Sequence, residues 1–120
     1  PMKKLLSILS ICLVFISCSP DRVHFDELIN KGNEQVPLMY FEGKPFTGVS
    51  FDIDSNGQLR YEGTFKDGEK NGLSQWWWEN GQLNIKSTYK DGKKDGLYEG
   101  WDDNGQKHSE FYYKDGVIIK

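Results

Sequence analysis

From Gly48 onward the chain alternates short apolar and polar runs between glycine-centred breaks, and the breaks recur every 24 residues. Gly48, Gly72 and Gly96 align, as do Asn56-Gly57, Asn80-Gly81 and Asn104-Gly105, each followed by Gln58, Gln82 or Gln106. Each repeat closes on an aromatic residue and Lys-Asp-Gly: Phe65 to Gly68, Tyr89 to Gly92 and Tyr113 to Gly116. Within a repeat, Val49, Phe51 and Ile53 alternate with polar neighbours, the period of a half-buried strand. Asn-Gly between two such runs is a strong hairpin signal, because both central residues of a type I′ turn take positive φ. Each repeat is therefore expected to be two strands joined at Asn-Gly. The second strand ends at Asp-Gly, and a short polar loop leads to the next opening glycine. The predicted fold is mainly β: an antiparallel meander of successive repeat hairpins forming an open sheet of about six or seven strands, behind one short N-terminal helix.

Ahead of the repeats, Phe25, Leu28 and Ile29 fall at helical spacing with Gly32 as a stop, which predicts a short amphipathic helix over His24 to Lys31. A helix this short does not persist alone in water and must dock. Val36 to Glu42 reads as extended, with Pro37 near its start as in an edge strand. The expected organisation is a signal segment at 1–17, a tether at 18–22, a helix and first strand at 23–47, and repeats at 48–71, 72–95 and 96–120.

A two-residue turn at Asn80-Gly81 would pair Trp78 with Leu83 and Trp76 with Ile85, placing these four and Tyr89 on one face. Leu73, Trp77, Leu97 and Trp101 would then share the other with Val49, Phe51 and Ile53. A three-residue turn would reverse one strand relative to the other, and both remain open here. At the end of the chain, Val117-Ile118-Ile119 is apolar and either pairs with the sheet or meets a partner.

Met2-Lys3-Lys4 followed by a short apolar run from Leu5 to Ser17 has the pattern of a secretory signal, too short for the roughly 20 apolar residues of a membrane span. The run ends Phe15-Ile16-Ser17-Cys18-Ser19, which resembles a bacterial lipobox. That resemblance implies cleavage before Cys18, acylation of its thiol, and anchoring to a cell-envelope membrane by acyl chains. Cys12 would leave with the signal, so no disulfide is expected. The formal net charge is −3 and becomes more negative without Lys3 and Lys4. An acidic balance argues against nucleic-acid binding, which calls for a basic face.

Asp52-Ile53-Asp54-Ser55-Asn56-Gly57 fits the start of a calcium-binding EF-hand loop, but position twelve is Gly63 and the flanks read as strands. Hairpin chemistry explains the string, and no metal site is expected. Glu79, Glu99, Asp102 and Asp103 have no fixed separation. His24 and His108 lack metal-ligand spacing or a nucleophile motif. No phosphate loop and no cofactor site is found. The chain reads as non-enzymatic. Trp76-Trp77-Trp78 is the most distinctive local feature, since consecutive strand residues point to alternate faces and at least one ring lies on each. Such rings fill a thin core or anchor an interface.

Tyr61-Glu62-Gly63-Thr64-Phe65-Lys66-Asp67-Gly68, followed by Gly72, resembles the core of a MORN repeat. Glu79 to Leu83 and Lys90 to Gly96 resemble its bacterial variant, and Phe25 to Gly48 is similar to the N-terminal part of small exported members. The resemblance implies an elongated sheet of hairpins acting as scaffold, dimerisation element or membrane-proximal adaptor. The third repeat departs from the pattern, with Lys107 in place of Leu59 and Leu83 and Phe111 in place of Gly63 and Ser87, as a cap would. Small bacterial members are widely catalogued as antitoxins, but export would put such a protein beyond reach of an intracellular toxin. The expected function is a membrane-anchored interaction or scaffolding module with a protein partner, the lipid carried by Cys18. Trp76, Trp78, Tyr112 and Tyr98 are the candidate binding surface. Neutralisation of a toxin and recognition of cell-wall glycan are the alternatives.

Overall fold

Two kinds of X-Gly turn set the register of the sheet, and they divide the work differently from the sequence expectation. At Asp67-Gly68 both residues have positive φ, 51° and 87°, and Lys66 pairs directly with Glu69. Asp91-Gly92 and Asp115-Gly116 repeat these angles. Type I′ therefore belongs to Asp-Gly. At Asn80-Gly81 only the glycine is left-handed, at 86°. The Gly81 amide donates to the Trp78 carbonyl at 2.9 Å and the Trp78 amide to the Gln82 carbonyl at 2.8 Å. This is the three-residue loop, a type I turn closed by a left-handed glycine, and Asn80 Oδ1 braces it by accepting from the Gln82 amide at 3.0 Å. Asn104 does the same for Gln106, while Asp54 takes the role in the first repeat. The paired aspartates at 52 and 54 are thus part of a hairpin.

The computed structural model describes residues 21–120; the signal segment, Cys12 and Cys18 lie outside the described residues. Its strands, in chain order, are β1 (Arg22–His24), β2 (Ile29–Asn30), β3 (Met39–Phe41), β4 (Lys44–Pro45), β5 (Gly48–Ile53) and β6 (Leu59–Lys66). They continue with β7 (Glu69–Trp77), β8 (Leu83–Lys90), β9 (Lys93–Trp101), β10 (Lys107–Lys114) and β11 (Val117–Ile118). An eight-stranded sheet runs in the order β1-β5-β6-β7-β8-β9-β10-β11, all antiparallel except β1, which pairs parallel to β5. The meander is open, as the repeats predict. Because the Asp-Gly turns take no intervening loop, the next strand starts at once, and Gly72 and Gly96 lie inside β7 and β9 while Gly48 opens β5. Gly96 has φ 106°, and a Cβ there would sit 2.5 Å from Thr88 Oγ1, whose hydroxyl donates to the Asp95 carbonyl. Such a bulge admits only glycine without strain.

The helix expected over His24 to Lys31 is a single 3₁₀ turn at Phe25–Glu27. Ile29 and Asn30 instead pair with Tyr40 and Met39, and β2, β3 and β4 form a separate three-stranded sheet. The Phe25, Leu28, Ile29 spacing suits a turn followed by a strand as well as a helix, and tertiary pairing decides between them. This small sheet caps the first repeat. The Met39 amide donates to the Gly68 carbonyl at 2.8 Å and the Gly68 amide to the Phe46 carbonyl at 2.8 Å. A Cβ on Gly68 would meet Leu38 Cδ1 at 2.8 Å. Val23, Phe46 and Phe65 are buried together, with Leu28, Met39 and Phe41 packed against them. The core is therefore at one end of the sheet. The cap reaches over the start of the second repeat, where Pro37 and Met39 share a cavity with Trp76 and Tyr89, and the third repeat has no such layer among the described residues.

Candidate binding face

Cross-strand pairing settles which side chains share a face. Tyr61 on β6 pairs with Trp76 on β7, and Trp76 with Ile85 on β8, as the two-residue turn also required. Trp77, however, pairs with Leu83 across a bulge, so Trp78 does not. Its indole nitrogen donates instead to the Trp101 carbonyl at 3.0 Å, at the Asn-Gly end of the sheet.

The four candidate residues do not form one patch. Trp76, 39% exposed, shares its face with Tyr98, because Ser74, Ser87 and Tyr98 pair in one row. Tyr112, 41% exposed, pairs with Leu97 one residue off that row and therefore lies on the opposite face. Trp78 is half-buried and tied to the next repeat. The structure puts Trp76 and Tyr98 on one face, two strands apart, and places the other two elsewhere.

Sequence reading missed the centre of this face. Tyr61 and Trp76 pack at a tilt of 46° with ring centroids 4.5 Å apart, and Phe25 meets Tyr61 edge-on at 6.0 Å. These rings, with Phe65 and Tyr89 from the sheet and Pro37 and Met39 from the cap, line a cavity of about 570 Å³. Asp52, Arg60, Lys70 and Gly92 complete its walls. Lys70 Nζ lies 4.9 Å from the Tyr89 ring centroid and 5.7 Å from that of Tyr61. One repeat on, Lys94 Nζ lies 4.8 Å from Tyr98 and 5.1 Å from Tyr113. These are cation–π distances. Among the described residues, the ion pairs involve Arg22, Lys107, Lys114 and the two histidines, and neither Lys70 nor Lys94.

Burial holds the Lys70 ammonium below the usual lysine range, and the nearby Lys94 charge adds to the effect. Burial pushes the Tyr61 hydroxyl up to about 12; Ser74 lies near enough to oppose the shift, although Tyr61 Oη has no partner in hydrogen-bond geometry. The Tyr89 hydroxyl is also raised, first by burial. The signal for these residues was present in the repeat register. Phe46, Lys70 and Lys94 occupy one column, and Phe65, Tyr89 and Tyr113 another.

The structure also brings His108 between Ser109 Oγ, at 2.6 Å from Nδ1, and Asp102 Oδ1, at 3.9 Å from Nε2. The carboxylate is beyond hydrogen-bond reach, and His108 and Asp102 are both about half in water. It lacks the orienting bond on which a nucleophile–base–acid triad depends. No group of three or more His, Cys, Asp or Glu is gathered to hold a metal among the described residues.

Three segments of the chain, residues 46–67, 70–91 and 94–119, match the family model described as MORN repeat variant. No curated protein and no solved structure matches the chain.

Proposed function

The chain belongs to the MORN repeat variant family, whose repeats commonly serve protein or membrane binding, and from that premise we propose that the face carrying Trp76 is a protein-docking surface. The module is non-enzymatic and is held at a cell-envelope membrane through acylated Cys18. The observation that carries the docking reading is the open cavity between cap and sheet, where Trp76 stands 39% exposed beside Lys70, with Lys94 and Tyr98 continuing the same face in partial contact with solvent. Large aromatic side chains flanking a cavity are the residues that dominate protein interfaces. A fold that needed them only for its core would bury them, as it buries Phe46 and Phe65.

The test is affinity purification of the full-length protein from its own cells in mild detergent, beside Trp76→Ala and Cys18→Ala. One dominant co-purifying protein, lost with Trp76→Ala while the circular dichroism and Tm hold, supports the docking face. Retention of that protein by Trp76→Ala overturns it. Release of Cys18→Ala from membranes supports the tether, and unchanged membrane fractionation overturns it.

A further inference from the structure

The cavity between cap and sheet is apolar along most of its wall and carries an unpaired cation at one end. The rings of Phe25, Tyr61, Phe65, Trp76 and Tyr89 surround it. Trp76 and Phe25 are 39% and 38% exposed, so the cavity opens to solvent beside them. Lys70 pairs across the strands with Phe65, and Asp52 with Tyr61. Those levels are four residues apart on β6, which sets the two charged residues about 13 Å apart along the strands at about 3.4 Å per residue. The Asp52 carboxylate lies 3.5 Å from His24 Nε2 at its own end. The Lys70 ammonium lies against the Tyr89 and Tyr61 rings and joins no ion pair among the described residues. Arg60, the other cation of the wall, is exposed.

We infer that this cavity is a binding site for a small planar aromatic carboxylate, with the acid group on Lys70 and the ring system among the five rings. The inference goes beyond the docking reading and does not depend on it, since a small molecule can enter the cavity whether or not a protein seats on the face. Charge complementarity is the first argument. One repeat earlier the same column holds Phe46, which is 1% exposed and packs against Phe65. An apolar residue therefore suits that column beneath the cap, and the second repeat places an ammonium there. Burial strips part of its hydration, which holds its pKa below the usual lysine range. A carboxylate on a ligand supplies the counter-charge that the chain does not, and it displaces no existing ion pair in doing so.

Size and lining are the second argument. At roughly 30 Å³ for each water-sized group, a volume of 570 Å³ admits about 19 non-hydrogen atoms, enough for a two-ring acid and well short of a diacyl lipid. A concave, largely apolar wall with a few polar groups is the pattern of a small-molecule site. The rings of the wall are not parallel: Phe25 stands at 81° to Tyr61, and Trp76 at 46° to it. They present both faces and edges to the interior. Offset and edge-to-face contacts favour an aromatic guest over an aliphatic one of equal area.

The experiment is isothermal titration calorimetry near neutral pH on the full-length protein in phosphatidylcholine nanodiscs, with empty nanodiscs as the blank. The probes are 2-naphthylacetate, its neutral amide and decanoate. The aromatic acid is expected to saturate one site, at least about tenfold tighter than the amide and about fivefold tighter than decanoate. Lys70→Met and Lys70→Gln should each bring acid and amide within about twofold of one another without lowering Tm. Lys86→Gln, on the opposite face of β8 and exposed, should leave the tenfold difference in place. Absence of saturable binding of the acid, equal affinity of acid and amide, or an acid preference undiminished in both Lys70 variants overturns the inference. Decanoate binding as tightly as the aromatic acid would assign the cavity to an acyl chain and also overturn it. The docking reading is decided separately: a partner lost with Trp76→Ala supports that face even where no acid binds, and a partner indifferent to Trp76→Ala sinks it even where the acid does.

Discussion

Tyr61 lays its ring along β6 over Gly63, so that a Cβ added at Gly63 would fall inside van der Waals contact with the tyrosine hydroxyl. Two residues apart on one strand, they occupy the same face, and the glycine makes the floor on which the ring lies. This explains the Tyr-x-Gly pattern of the first repeat: the ring covers backbone that the glycine leaves bare, and it is held there by Trp76 and Phe25. In the next repeat the same columns hold Ile85 and Ser87, and no ring is folded down.

Gly63→Ala is therefore expected to lower stability by about 2 kcal/mol, a typical cost of overpacking. Gly63 does not have positive φ, so backbone strain contributes nothing and the effect is steric. Thermal denaturation of Gly63→Ala beside Tyr61→Leu/Gly63→Ala checks this. Removing the ring makes the alanine nearly silent in the second background, and an equal Tm drop in both would show that the contact is not the cause.

The buried Tyr61 hydroxyl ties stability to alkaline pH. Its folded pKa, about 12, exceeds the ordinary tyrosine value of 10.0, so the folded state retains a proton that the unfolded state loses. Stability from this group is fully present below pH 10 and is lost as pH rises toward 12. The loss is at most about 2.7 kcal/mol at the top of the window. Tyr61→Phe should flatten the profile and, having no unpartnered hydroxyl to bury, should match or exceed the wild type at neutral pH. Urea denaturation at pH 8 and pH 11 measures both effects, and an equally steep alkaline loss in Tyr61→Phe would contradict them.

The exchange of turn types gives a reversal that can be tested at two sites. Asn80 has an ordinary φ, and its side chain accepts from the Gln82 amide and donates to the Asp103 carbonyl at 2.6 Å. Asn80→Gly should cost about 1–2 kcal/mol through those lost bonds. Asp91 has φ 50°, which an aspartate adopts under strain. Asp91→Gly should remain within about 0.5 kcal/mol of the wild type, relief of strain offsetting added chain entropy. Chemical denaturation of both variants is sufficient; a neutral Asn80→Gly would restore the type I′ assignment to Asn-Gly.

That exchange also marks what was legible in the sequence. The 24-residue register located the Asn-Gly hairpins and the course of the meander, but it read a loop after each Asp-Gly where the next strand begins at once, at Glu69 and at Lys93. It did not distinguish the two turns, since Asn-Gly and Asp-Gly both permit positive φ and the choice depends on bulges between strands, as at Trp76 and Trp77. The His24 to Lys31 helix was misread for a related reason. Its apolar spacing was real, but Ile29 and Asn30 were claimed by β3. Of the candidate face, the residue types at Trp76 and Tyr98 were legible, while their sharing of one side came from strand pairing. The cavity was not legible, because Phe25, Pro37 and Met39 reach it from a cap whose docking on Gly68 has no signature in local pattern.

Lys70 offers the sharpest separation of stability from function. Its ammonium is held among Tyr61, Tyr89 and the cavity wall with its pKa below the usual range, so the charged form is destabilised by folding. That penalty is present at neutral pH and is relieved only as pH rises from the folded pKa toward the unfolded value of 10.5, the opposite sense to Tyr61. Lys70→Met keeps the length of the chain, removes the charge, and puts an apolar group where the first repeat has Phe46. It should stabilise the fold by about 1 kcal/mol at pH 7, with loss of the cation–π contacts setting the limit. It should also make the alkaline decline from Tyr61 steeper, because the opposing lysine contribution is gone. A lysine retained against stability in the wall of a cavity is the pattern expected of a binding residue. Denaturation of Lys70→Met at pH 7 and pH 11 tests this directly: a less stable variant at pH 7 would show that the ammonium is a structural contact between the two tyrosines, held for the fold itself.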